Sequence, residues 1–291
     1  MAGRETPTRG QVSGRRLRRP KGGTLECGHG HSTDFQRGLP PFNAWSAGVR
    51  VSGRVRVLVH GASGRMGMAL LRLAAGREDL CVCAAVCGRP PKQRVIDGVP
   101  YFGASELAGV PAFDVAVDFS LPGGFDALLA LCLKRRAALV SGTTGLDDAQ
   151  LSALESAGGS IPVLWASNFS LGVAVLQDLV ARAAAVLSGW DCDIVESHHT
   201  RKLDAPSGTA LTLGEAAAGQ GATPHYASIR AGDIVGEHLV QFTSHGERIE
   251  LVHRATNRDI FANGALHVAA RLAGRNPGHY AIADVLSVDA A

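Results

Sequence analysis

Fifteen residues from Ser197 to Leu211, SHHTRKLDAPSGTAL, gather proton donors and an anion seat in one short stretch. His198 and Lys202 stand four apart, so they face the same way in an extended segment of period 2 or a helix of period 3.6. Two proton donors can therefore converge on one substrate. Asp204 and Pro206 break any regular run, and Ser207 is placed to cap a helix carrying Ala210, Leu211, Leu213 and Gly214. Ser207, Gly208 and Thr209 would then offer free backbone N–H groups, hydroxyls and the positive end of the helix dipole, which suits a carboxylate or phosphate. Taken alone, the stretch also reads as an ordinary turn and cap with two incidental histidines. The elements around it have to decide.

The elements that would face it begin at Val55–His60, a β-branched run that stops at GASGRMG, with glycines at 61, 64 and 67. Met66, Ala69, Leu70, Leu73 and Ala74 then recur at helical spacing up to Gly76. Strand, glycine turn and helix open a dinucleotide-binding βαβ unit, in which Gly61 turns the chain, Gly64 admits a pyrophosphate and Gly67 lets helix pack on strand. The next strand, Leu80–Cys87, ends in Cys87, Gly88 and Arg89 with no acid to take ribose hydroxyls. An Arg there accommodates the 2′-phosphate of NADP, although Arg89 also reads as a solvated loop residue. Strands at Asp114–Phe119, Ala138–Ser141 and Ile161–Ala166 alternate with helices at Phe125–Leu133 and Asp147–Ala157. That alternation predicts a doubly wound parallel sheet of the Rossmann type, with ligands beyond the strands' carboxyl ends. The loops at Ser120, Gly142–Gly145 and Ser167–Ser170 would face the nicotinamide end.

After Asn168 the pattern changes. A helix with Leu171, Val175, Leu176 and Leu179 leads to a strand, Asp191–Ser197, that delivers His198 and Lys202. Strands at Ser228–Arg230, Ile234–Phe242 and Arg248–Arg254 follow the helix that starts at Ser207, so a second, α+β domain with antiparallel strands is expected. A last helix, Phe261–Leu272, is expected back against the first domain. The expected organisation is a disordered basic extension over 1–54, a dinucleotide-binding domain over 55–167, a substrate and oligomerisation domain over 168–259, and a return over 260–291.

Charge and cysteines narrow the classes. The net charge of +3 hides a split: ten Lys/Arg against three Asp/Glu give residues 1–54 a net of +7, leaving −4 for the body. The basic character therefore belongs to the extension and is no sign of nucleic-acid binding by the body. The extension reads as an upstream segment without function, with an organelle presequence or a basic contact arm as alternatives. No run of about eighteen apolar residues suggests a membrane span. Cys27, Cys81, Cys83, Cys87, Cys132 and Cys192 form no CxxC pair and read as buried thiols of a reducing compartment, the cytoplasm. Cys27, His29 and His31 make too small a set for a metal, so no metal site is expected.

Seven motifs in register carry a resemblance over about residues 55–288: VHGASGRMG, DVAVDFSLP, SGTTG, ASNFSLGV, ESHHTRKLDAPSGTA, RAGDIVGEH and FANGA. The sequence resembles the 4-hydroxy-tetrahydrodipicolinate reductases (dihydrodipicolinate reductases) of diaminopimelate and lysine biosynthesis. The resemblance implies reduction of 4-hydroxy-tetrahydrodipicolinate to tetrahydrodipicolinate with loss of water, using NADPH or NADH. It implies that His198 is the catalytic proton donor, that Lys202 assists, and that His199, Gly208 and Thr209 hold a dicarboxylate substrate. It implies cofactor contacts at Gly61, Ala62, Ser63, Gly64, Arg65 and Met66, at Gly142, Thr143 and Thr144, and at Ala166, Ser167, Asn168 and Phe169, beside Arg89. A homotetramer without nucleic-acid or membrane partners is the implied assembly. The stretch before RAGDIVGEH is shorter than the loop that family members often carry there, a loop associated with subunit contacts.

Two other functions compete. Another small-substrate NAD(P)-dependent dehydrogenase would share the layout, but an acylating semialdehyde enzyme needs a nucleophilic Cys in a polar loop, and Cys132 and Cys192 read as helix and strand residues. A nucleotide-sensing protein without turnover would have no use for paired donors.

Overall fold

The computed structural model describes residues 53–286. Residues 1–52, most of the basic extension with Cys27, His29 and His31, lie outside the described residues. Arg54, counted with that extension, is tied in by hydrogen bonds from its guanidinium to the carbonyls of Leu80 (2.8 Å) and Arg77 (2.8 Å).

The first half of the chain runs β1 (Val55–His60), α1 (Arg65–Ala74), β2 (Leu80–Cys87), β3 (Val95–Ile96), β4 (Val99–Gly103), a 3-10 turn (Ala104–Gly109), β5 (Val115–Asp118), α2 (Pro122–Arg135), β6 (Ala138–Ser141), α3 (Asp148–Ala157) and β7 (Pro162–Trp165). The second half runs α4 (Leu171–Val186), β8 (Asp191–His198), α5 (Gly208–Ala218), β9 (Pro224–Arg230), β10 (Gly236–Ser244), β11 (Glu247–Ala255), α6 (Asp259–Leu272), β12 (Gly278–His279) and α7 (Ile282–Leu286). No helix among the described residues is long and apolar enough to cross a membrane.

The first sheet has the order β12-β7-β6-β5-β1-β2-β4-β3, parallel throughout except for the antiparallel β3–β4 pair. This is the expected doubly wound sheet. Its central strands are buried on both faces: Val57 and Val59 point to a core shared with α1, α6 and α7, and Leu58 points to a core shared with α2 and α3. α6 lies against α1, β5 and β6, so the last helix completes one face of this sheet. The small β3–β4 hairpin was not anticipated. It turns at Asp97 and Gly98, both with positive φ (50° and 78°), the pairing that two-residue hairpin loops demand. Helix α2 also starts earlier than its apolar spacing suggests, because Pro122 pre-sets the first turn while Gly123 and Gly124 hide the pattern.

The second sheet corrects an expectation. Its order is β11-β10-β8-β9, and although β10 runs antiparallel to β8 and β11, β8 and β9 are parallel. The cause is α5, which serves as the crossover of a βαβ unit and returns the chain to the start of a neighbouring strand. One face of this sheet is closed by α4 and α5 through Leu176, Val180, Ile194, Leu213, Val240 and Phe242. Ile229, Ile249 and Val252 remain exposed.

Both covering helices start on a serine backed by a histidine. Ser207 Oγ accepts from the Ala210 N–H (3.2 Å) and lies 3.2 Å from His238 Nε2; Ser170 Oγ accepts from the Val173 N–H (3.3 Å) and lies 3.3 Å from His253 Nε2. A hydroxyl that accepts from the helix can donate its one proton to the ring, which requires a neutral imidazole. Burial pushes the His238 pKa down to about 4, assisted by His198 and His253, and burial lowers that of His253 too. The unfolded chain takes up these protons near the ordinary histidine value and the folded chain resists, so folding stability is present above about 6.5 and falls as pH drops toward about 4. Unfolding free energies from urea titrations should decline over that window by up to about 1.4 kcal/mol per pH unit for the His238 proton, with a shallower decline in His238→Gln. A pH-independent midpoint in the wild type would contradict this account.

Candidate active site

The glycine turn follows from what the backbone must do at the end of β1. Gly61 has φ of 81°, and its N–H and that of Ala62 both bond the Val86 carbonyl (3.0 and 2.9 Å). A Cβ on Gly61 would overlap the Phe119 carbonyl, and one on Gly67 would overlap the Gly61 carbonyl, so both positions need glycine for close approach. The N-cap Gly64 supplies no side-chain cap, which leaves first-turn N–H groups of α1 for a ligand. A turn of this kind fits a dinucleotide pyrophosphate. Ser63 and Arg65 are exposed and Met66 half-buried, while Ala62 is buried and has only its main chain to offer. Arg89 is exposed beyond β2, and its guanidinium makes no hydrogen bond among the described residues.

A buried carboxylate fixes the loops beside this turn. Asp118, at the end of β5, is 0% exposed and accepts from Ser141 Oγ (2.9 Å), Thr143 Oγ1 (2.7 Å) and the Ser120 N–H (3.1 Å), with His60 Nδ1 at 2.8 Å. Burial raises its pKa, but the bonds from His60, Ser120 and Thr143 outweigh that and hold it below the ordinary value. Thr143 also gives its carbonyl to Trp165 Nε1 (2.8 Å). Its hydroxyl is therefore turned inward, and a cofactor could meet only its main chain. Phe169 is likewise in the core, edge-on to Phe119 at 5.3 Å, and Gly142 packs where a Cβ would strike the Phe119 ring. Among the expected contacts in these loops, Thr144 and Ser167 are exposed and Ala166 and Asn168 half-buried.

The His198 end is built around Glu196, which the sequence reading did not single out. Glu196 and His198 are two apart on β8 and point to one side of the sheet. Glu196 is 0% exposed and bonds His198 Nδ1 closely; Arg230 Nη1 and Nη2 donate to its two oxygens (2.9 and 2.7 Å), and the Ser207 N–H donates to one (3.2 Å). Burial works against the charge, yet the bonds from Arg230, Ser228 and His198 hold this carboxyl at about 2. With Nδ1 engaged, Nε2 is the nitrogen of His198 left for proton transfer, and it packs on Gly236, whose Cβ would stand 3.0 Å away. Arg230 also bonds the Asp204 carbonyl (2.6 Å), which shapes the loop. Lys202 Nζ donates to Asp204 Oδ2 (2.8 Å). His199 Nδ1 is buried without a partner among the described residues, and burial followed by the Arg201, Arg258 and His198 charges lowers the His199 pKa. Gly208 opens α5 in an exposed position, and Thr209 Oγ1 accepts from Asn168 Nδ2 (3.0 Å).

These groups share one open cleft of about 830 Å3, lined by Arg65 and Met66 from the glycine turn, Ser167 and Asn168 after β7, and His198, His199, Lys202, Ser207, Gly208 and Thr209. Arg201 and Arg258 add two cations that the sequence reading passed over. Of the expected cofactor contacts, Gly61, Ala62, Ser63, Gly64, Arg89, Gly142, Thr143, Thr144, Ala166 and Phe169 do not line it. The arrangement offers cations and a helix N-terminus to an anion, a carboxylate-backed imidazole, and a glycine turn at one edge. No cluster of metal-ligating groups occurs among the described residues. Cys132 and Cys192 are buried and burial raises both thiols, that of Cys192 to about 11, so neither is a nucleophile.

Comparison with known proteins identifies the family. The family model described as dihydrodipicolinate reductase, N-terminus, matches residues 55–169, and that described as dihydrodipicolinate reductase, C-terminus, matches residues 172–286. The 4-hydroxy-tetrahydrodipicolinate reductase of Stenotrophomonas maltophilia (strain R551-3) is 72% identical over 233 residues, 80% of this chain and 98% of that protein. The enzyme of that name from Xylella fastidiosa (strain 9a5c) is 66% identical over 232 residues, again 80% and 98%. Among solved structures, dipicolinate-bound dihydrodipicolinate reductase from Paenisporosarcina sp. TG-14 shares the fold, with a TM-score of 0.68 at 24% identity over 78% of this chain and 97% of that one. On these matches, the chain belongs to the dihydrodipicolinate reductase family.

Proposed function

We propose that this chain reduces 4-hydroxy-tetrahydrodipicolinate to tetrahydrodipicolinate, the reductive step of diaminopimelate and lysine biosynthesis, with NADPH or NADH as reductant. One hydride and one proton are consumed, and the hydroxyl of the substrate leaves as water. The observation that carries the reading is the single cleft shared by the glycine turn, Asn168 and the His198–Thr209 segment. The bound nicotinamide nucleotide would supply the hydride, held at the uncapped start of α1. His198, its Nδ1 engaged by Glu196, delivers a proton from Nε2, and Lys202 assists by polarising or protonating the substrate. Gly208 and Thr209 hold one carboxylate at the α5 terminus, and His199 contributes to binding the dicarboxylate. We assign nucleotide binding to residues 55–167, substrate binding and assembly to 168–259, and the closing helix to 260–291. The proposed assembly is a homotetramer, with the exposed residues of the second sheet available for contacts between copies, and the proposed compartment is the cytoplasm.

The direct test supplies substrate made in situ by the preceding synthase and follows oxidation of NADPH; absence of oxidation would favour a nucleotide sensor. His198→Gln and Lys202→Met should each lower kcat by about a hundredfold or more while nucleotide binding persists. Near-normal turnover in both would refute their assignment. With the Arg89 guanidinium free of hydrogen bonds among the described residues, NADPH should serve at least as well as NADH. Arg89→Ala should reduce kcat/KM for NADPH by about tenfold, the scale of one charge-assisted hydrogen bond, and leave NADH within about twofold. Equal losses with both nucleotides would remove Arg89 from recognition of the 2′-phosphate.

A further inference from the structure

Asn168 carries a hydrogen-bond arrangement whose direction can be read without ambiguity. The Ser170 N–H donates to Asn168 Oδ1 (2.8 Å), and a backbone N–H can only donate. The amide oxygen is therefore the group facing Ser170, and the NH2 is the group facing Thr209 Oγ1 at 3.0 Å. Thr209 must accept. Its own proton then has no acceptor among the described residues, and Thr209 lines the cleft in the first turn of α5. Asn168 and Thr209 border both the cleft and a second cavity of about 450 Å3. The bond joins the segment after β7 to α5 across 41 positions of sequence.

We propose that Asn168 is a positioning residue that keeps the Thr209 hydroxyl as an acceptor toward the protein and so presents its proton to a carboxylate of the substrate. The inference rests on the reading that Thr209 binds that carboxylate. It gives the Asn168 side chain a role in substrate affinity, leaving its main chain for the nucleotide. An aspartate would accept from both Ser170 and Thr209, turning the Thr209 proton away from the cleft and adding negative charge beside an anion.

The test compares Asn168→Asp, Asn168→Ala, Thr209→Val and the Asn168→Ala/Thr209→Val double variant. It measures KM and kcat for the substrate, Kd for pyridine-2,6-dicarboxylate, Kd for NADPH, and thermal unfolding. Asn168→Asp should raise KM by about tenfold or more while kcat falls no more than about threefold and the NADPH Kd holds. Asn168→Ala should raise KM by about threefold in the wild type and add nothing once Thr209 is Val. An equal effect of Asn168→Ala in both backgrounds, or a changed NADPH Kd with an unchanged KM, would overturn the proposal. If Thr209→Val itself leaves KM and the dicarboxylate Kd unchanged, the carboxylate is held elsewhere, and the underlying reading falls with the proposal. Should Asn168→Asp not fold, the neutral cycle with Thr209 decides alone.

Discussion

The carboxylate of Glu196 sets the geometry of the His198 end of the cleft. An unpaired charge in its buried position would cost several kcal/mol, so it persists only while its oxygens are satisfied. Its partners come from separate elements: two donors from Arg230 on β9, one from the Ser207 N–H at the start of α5, and one from His198 on its own strand. Keeping one anion satisfied therefore fixes three distances together. It also determines which nitrogen of His198 is spent and which remains for chemistry.

Asp118 plays the corresponding part beside the glycine turn. It sits where the strand order reverses, between β1 and β5, and takes bonds from His60, Ser120, Ser141 and Thr143. An open α/β sheet binds ligands at such a crevice, and the loops there must be held in place without side chains in the way. Turning the Thr143 hydroxyl and the Phe119 and Phe169 rings inward accomplishes that, because the surface left to a ligand is mostly main chain and small residues.

The cleft itself is cationic. Arg65, Arg201 and Arg258 line it without ion pairs among the described residues, and α1 and α5 both direct N-termini toward it. The acids that border it, Asp204 and Asp259, are already paired with Lys202 and Arg72. A nucleotide and a dicarboxylate are both anions, and this imbalance of charge suits the pair.

Much of this was legible in the residues alone, for stated reasons. Period-2 and period-3.6 patterns bounded by Gly, Pro and Ser placed the Rossmann sheet, the glycine turn and the Ser207 cap, because those signals are local. The Asp97-Gly98 hairpin was just as local, and could have been found from its dipeptide. The spacing of Glu196 and His198 was visible too, but a Glu beside a His in a strand has no meaning until Arg230, 34 residues later, arrives to neutralise it. Tertiary structure alone decided that β9 runs parallel to β8, that the hydroxyl of Thr143 and the ring of Phe169 face inward, and that Asn168 meets Thr209. Each depends on which distant groups share a buried space and must satisfy one another there, and no sequence period records that requirement.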